Sequence, residues 1–132
     1  MSASSTNWKD VGFWVLSSAL ALTFLMAGAT KVLGAPMQVE TFARLGLPDL
    51  LRPFVGSVEV AAAVLLFVPR TRFWGASALV ATMAGAALTH LVSGVDVAMV
   101  GVNVVLLALS GVLAWADRPS VVEQVPAENG RA

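Results

Sequence analysis

No cysteine occurs in this chain, so disulfides, thiolate metal sites and a cysteine nucleophile are all excluded. Histidine occurs once, as His90. A lone histidine cannot provide two-histidine haem ligation or zinc coordination, and no acidic cluster stands beside it to help. No basic run suggests nucleic acid, since eight basic residues balance eight acidic ones. There is no glycine-rich phosphate loop followed by Lys-Ser/Thr. Ser57 lacks the G-x-S-x-G surroundings of a hydrolase nucleophile. Charge itself is scarce: 12% of the residues are charged and 58% are hydrophobic, whereas a soluble domain carries about a quarter charged residues. This is the composition of a membrane protein.

At about 20 residues per span, the 132 residues leave room for four helices in one domain. Hydrophobic runs place span one at Val11–Thr30, span two at Leu50–Val68 closed by Pro69, span three at Phe73–Val92 and span four at Val97–Ala116. The fold class is therefore all-α, an integral membrane four-helix bundle running up-down-up-down. Residues 1–10 read as an N-terminal tail, 11–116 as the transmembrane domain and 117–132, with Pro119, Pro126 and Gly130, as a disordered tail. A cleaved signal peptide is the rival reading of span one, because Ala27-Gly28-Ala29 resembles a cleavage site. Lys9 beside Asp10 makes a poor positive n-region, however. The one long connection holds Pro36 at a helix start, Glu40 and Arg44 four apart, and the apolar Met37, Val39 and Phe42. It reads as a short amphipathic helix, Pro36–Leu45, on the membrane surface or over the bundle as a lid, with an ordinary surface loop as the alternative.

Orientation follows from Lys and Arg near the spans. With the N-terminus inside, the inner face holds Lys9, Arg70, Arg72, Arg118 and Arg131, and the outer face Lys31, Arg44 and Arg52. Both termini are thus expected in the cytoplasm. Trp8, Trp14, Trp74 and Trp115 then fall at one face as an aromatic belt. Gly75, Ala78, Ala81 and Gly85 recur at three- and four-residue steps and read as one helix-packing row, with Gly28 and Ala61–Ala63 serving likewise.

Glu59 is the one charge in the run Phe54–Val68. An ionised acid at mid-membrane costs about 2.5–3.5 kcal/mol even on the lenient insertion scale, and such groups face a protein interior or an aqueous pocket with a partner. On this topology Glu59 lies about 13 Å below the outer face and Asn103 about 10 Å. Lys31 and His90 end their spans at that face, so each helix contributes one polar residue to the outer half, and the inner half carries no comparable set. Lys31 reaches inward on an apolar stem, His90 can exchange a proton near neutral pH, and Asn103 offers a donor and an acceptor. Each has a plainer reading: Lys31 and His90 as interfacial residues, Asn103 as a helix–helix hydrogen bond, Glu59 as a structural ion pair.

Ala27-Gly28-Ala29-Thr30-Lys31-Val32-Leu33-Gly34, Phe42-Ala43-Arg44-Leu45-Gly46-Leu47-Pro48, Gly56-Ser57-Val58-Glu59, Leu66-Phe67-Val68-Pro69 and Met83-Ala84-Gly85-Ala86-Ala87-Leu88-Thr89-His90 occur in this order. Together they resemble the DoxX family, in particular its short DoxX-like branch, from about residue 22 to residue 91. The resemblance implies a four-helix protein of the bacterial cytoplasmic membrane, associated with membrane redox systems, with Lys31, Glu59 and His90 as the positions that match the family pattern. The missing cysteine argues against sulfur relay on the protein itself.

Residues and resemblance together give one leading expectation. The bundle holds a lipophilic small molecule, quinone- or isoprenoid-like, in an outward-facing pocket contacted by Lys31, Glu59, His90, Asn103, Met83 and Phe42. It would be an accessory to a membrane redox partner protein. No cofactor is required, a quinone being the one candidate, and the bilayer and a second copy of the chain complete the expected partners. The alternatives are an acid–base enzyme acting on a lipid, with Glu59, His90 and Lys31 as catalytic groups, a small proton-coupled transporter, and an assembly scaffold.

Overall fold

Asn7 precedes the first apolar turn, and its side-chain oxygen accepts the Lys9 amide. This cap starts α1 at Trp8, three residues before the expected span, so that Trp8–Asp10 belong to the helix rather than to a tail. The structure, a computed structural model, describes residues 7–119; the remainder of both expected tails lies outside the described residues. Five helices follow one another: α1 (Trp8–Leu33), α2 (Pro36–Arg44), α3 (Leu51–Leu66), α4 (Arg72–Ser93) and α5 (Ala98–Ala116). The described residues contain no strand.

Three of these helices, α1, α4 and α5, are long and apolar enough to cross a membrane. The second expected span is shorter than its hydrophobic run. α3 has 16 residues, about 24 Å at 1.5 Å per residue. Pro69 explains the early stop, because the residue before a proline is pushed out of the helical region. Thr71 Oγ1 and Arg72 Nε then bond the freed carbonyls of Leu65 and Leu66 at 3.0 and 3.1 Å. At the other end of the molecule, α1 closes on Gly34 at φ +75°. The Gly34 and Ala35 amides fold back on the Lys31 and Thr30 carbonyls, a turn that needs a left-handed residue. That reversal sends the chain into α2, with Pro36 at its first turn.

The most extensive helix contacts fall within two pairs, α1 with α3 and α4 with α5; α3 also packs on α4, and α1 touches α5 only lightly. Leu20, Phe24, Ala63, Leu66, Leu79 and Leu113 are fully or almost fully buried between them. The two pairs meet closely at one end only. A Cβ on Gly75 would come within 2.7 Å of the Ala62 carbonyl oxygen, whereas ten residues later a Cβ on Gly85 would meet nothing within 4 Å. The small-residue row of this helix is therefore not one packing face. Gly75 admits a backbone; Ala81 and Gly85 are exposed and line the space that opens where the pairs diverge.

The closed end is not purely apolar either, although the sequence shows there no set comparable to that of the outer half. Arg72, Ser17 and Ser110 are all buried there or just above. Arg72 reads in sequence as an interfacial cation, yet its stem packs inward. Its guanidinium lies 5.2 Å from the Trp14 ring centre of α1, bonds Leu66 at the end of α3, and pairs at 3.5 Å with Asp117 after α5. One side chain thereby ties together α1, α3, α4 and the residue that ends α5. Arg72→Ala is expected to cost about 2–4 kcal/mol, and Arg72→Lys should recover less than half, since an ammonium cannot serve three partners in a fixed fork. Unfolding followed in micelles checks this; a loss below about 0.5 kcal/mol for Arg72→Ala would remove the tie.

Candidate functional site

At the divergent end the two helix pairs and α2 enclose an open cavity of about 960 Å³, near the upper end of ligand-site sizes. All six residues anticipated as ligand contacts line it: Lys31 from α1, Phe42 from α2, Glu59 from α3, Met83 and His90 from α4, and Asn103 from α5. Five of the six are buried, and Lys31 is nearly so.

Lys31 Nζ and Glu59 Oε2 are 3.0 Å apart, and the Glu59 side chain is 1% exposed. Two glycines set this approach. Gly28 lies one turn before Lys31 and Gly56 one turn before Glu59, and their backbones nearly touch. Lys31 is held from behind as well, because Arg52 of α3 donates to its carbonyl oxygen. Glu59 Oε1 accepts no hydrogen bond from the described residues.

His90, in the last turn of α4, places Nδ1 2.8 Å from the Val95 carbonyl oxygen in the following loop. A carbonyl only accepts, so a proton sits on Nδ1; Nε2, which is an acceptor whenever the ring is uncharged, has no partner among the described residues. Asn103 sits at 5% exposure with Nδ2 buried and unpaired. The expected helix–helix hydrogen bond from Asn103 is not made among the described residues. An unpaired buried donor is costly, and here it belongs to a residue that lines the cavity.

α2 forms one wall of the cavity. Phe42 is its buried residue, Gln38 reaches Thr30 at 3.3 Å, and Arg44 bonds Asp96 of the α4–α5 loop at 3.1 Å. Arg52, Gln38 and Asp96 escaped the sequence reading. A cation or amide near a span end looks like any interfacial residue, and Asp96 has no partner at helical spacing to mark it. No group of three or more His, Asp or Glu residues that could hold a metal occurs among the described residues.

A cavity reached by one ionisable or amide side chain from each of four helices, with apolar walls, is equipped to receive an amphiphilic molecule by its polar end. No curated protein and no solved structure matches the chain. The sequence model of the DoxX-like family matches from residue 15 to residue 113, three quarters of the length, and includes every cavity residue named above. The chain belongs to the DoxX-like family of membrane proteins.

Proposed function

We propose that this protein is a four-helix, up-down-up-down membrane bundle of a bacterial cytoplasmic membrane, with both termini cytoplasmic and α2 as an amphipathic element at the outer surface. Residues 11–116 form its one domain. It holds a lipophilic small molecule, quinone- or isoprenoid-like, with the polar end of the ligand against Lys31, Glu59 and His90, and acts as an accessory to a membrane redox system. Four apolar rods fit the chain length, and α3, though short, is continued by Phe67 and Val68. The observation that carries the reading is the convergence of Lys31, Phe42, Glu59, Met83, His90 and Asn103 on one cavity. A buried ionisable group in a membrane helix is costly to keep, and burying it against a cavity suits binding better than packing.

Native mass spectrometry of gently solubilised protein tests this. A lipophile should co-purify with the wild type, and Glu59→Gln should reduce its occupancy at least about tenfold, the loss of one charge-assisted contact. Equal occupancy in Glu59→Gln overturns the assignment.

One observation favours a second reading, acid–base catalysis on the same lipid. His90 Nε2 is an unoccupied base, and Glu59 Oε1 is uncommitted. Turnover of a lipid by purified protein, abolished by His90→Ala, would distinguish an enzyme from a binder.

A further inference from the structure

The unpaired polar atoms of the cavity define which head group it accepts, an inference that rests on the cavity being a lipophile site. Their roles are unequal. Asn103 Nδ2 is a donor with nothing to give to. His90 Nε2 and Glu59 Oε1 are acceptors with nothing to receive, since Nδ1 is committed to Val95 and Oε2 to Lys31. A ligand that satisfies this set must both accept a hydrogen bond and donate one.

Charge narrows the class further. The cavity is lined by two basic residues, Lys31 and Arg44, and three acidic ones, Glu40, Glu59 and Asp96, so basic residues are not in excess. An anionic head group would meet two free acceptors and find both cations already paired. A cationic one would have to compete with Lys31 for Glu59 and with Arg44 for Asp96, the two ion pairs already made at 3.0 and 3.1 Å. We infer that the cavity selects an uncharged, hydroxyl-bearing lipophile, an isoprenoid alcohol or a phenol such as a reduced quinol, rather than a phosphate, an amine or the oxidised quinone, which only accepts. The hydroxyl oxygen takes the Asn103 amide and its proton goes to His90 Nε2 or Glu59 Oε1. The apolar tail lies along walls that include Phe54, Met83 and Val102.

The test uses the full-length protein in zwitterionic phosphatidylcholine nanodiscs and four compounds sharing one tail: geranylgeraniol, its methyl ether, geranylgeranylamine and geranylgeranyl phosphate. Dissociation constants are read by native mass spectrometry. The alcohol should bind about 10- to 100-fold more tightly than the ether, which keeps the acceptor but lacks the donor and leaves a cavity acceptor unpaired, and more tightly than both charged compounds. Asn103→Leu should weaken alcohol and ether by the same factor, because both present an oxygen to the amide. Equal binding of alcohol and ether overturns the hydroxyl inference while leaving the lipophile site standing. So does tightest binding of the phosphate or the amine. Binding of none of the four overturns the lipophile site and the inference together. The wild-type comparison stands on its own should Asn103→Leu fail to fold.

Discussion

Replacing Lys31 with methionine should destabilise the protein by about 3–5 kcal/mol, the cost of stranding a buried charge. The Glu59 side chain is 1% exposed, and Lys31 Nζ at 3.0 Å is its one hydrogen-bond partner among the described residues. With the amine gone, the carboxylate keeps its burial and loses its compensation. The opposite substitution should be milder. Lys31 sits at the end of α1 at 15% side-chain exposure, and a lysine freed of its partner can extend its stem towards water, so Glu59→Met is expected to cost less than Lys31→Met. The double variant should recover most of the loss, because two apolar side chains of similar volume replace a pair whose mutual attraction was largely spent on leaving water. Reversible unfolding in mixed micelles gives the three differences as a double-mutant cycle. A loss under about 1 kcal/mol for Lys31→Met, with no recovery in the double variant, would mean the pair is screened as a surface pair is, and the account of Glu59 as a buried, answered charge would fall.

The pairing of Lys31 with Glu59 was legible in the sequence because depth in a membrane can be counted. A carboxylate nine residues into one helix and a lysine at the end of its neighbour arrive at about the same level at 1.5 Å per residue. Counting brought His90 and Asn103 there too. It could not say which atoms would be left unpaired, since that depends on Val95, in a loop with no periodicity, turning its carbonyl to His90. It also failed at the other end. Ser17 and Ser110 carried no signal in the sequence and Arg72 counted as an interfacial cation, yet all three are buried; hydropathy registers what a side chain is, and snorkelling inward or outward looks the same in it. A polar pocket at that level was expected, but how far it extends was not legible, for a related reason. Gly75 and Gly85 belong to one row of small residues, but one admits a neighbouring backbone and the other faces open space. The partner helix determines which, and a single sequence carries no record of that.

That contrast makes the second large effect a matched pair of glycine substitutions. Gly56→Val is expected to cost at least about 3 kcal/mol, at the upper end of overpacking, or to yield no monodisperse protein. A Cβ at position 56 would lie 2.7 Å from the Gly28 carbonyl oxygen and 2.7 Å from Lys31 Cβ, atoms fixed by the α1 backbone rather than the flexible end of a side chain. The reciprocal contact is as tight, with a Cβ on Gly28 falling 2.7 Å from the Gly56 carbonyl oxygen. Helix association in a membrane depends on such close approach, since lipid offers apolar side chains as good a solvent as another helix does. Forcing α1 and α3 apart here also separates Lys31 from Glu59, each one turn away, so loss of packing and loss of the ion pair come together. Gly85→Val serves as the control: it sits in a helix equally, but its Cβ would meet nothing within 4 Å, and removing glycine from a helix interior is worth up to about 0.5 kcal/mol when valine replaces it. Its melting temperature in micelles should equal or slightly exceed that of the wild type, while Gly56→Val melts far below or aggregates on size exclusion. Equal destabilisation by the two substitutions would show that valine is tolerated poorly in these helices at large, and the close α1–α3 crossing would no longer be what places the lysine beside the carboxylate.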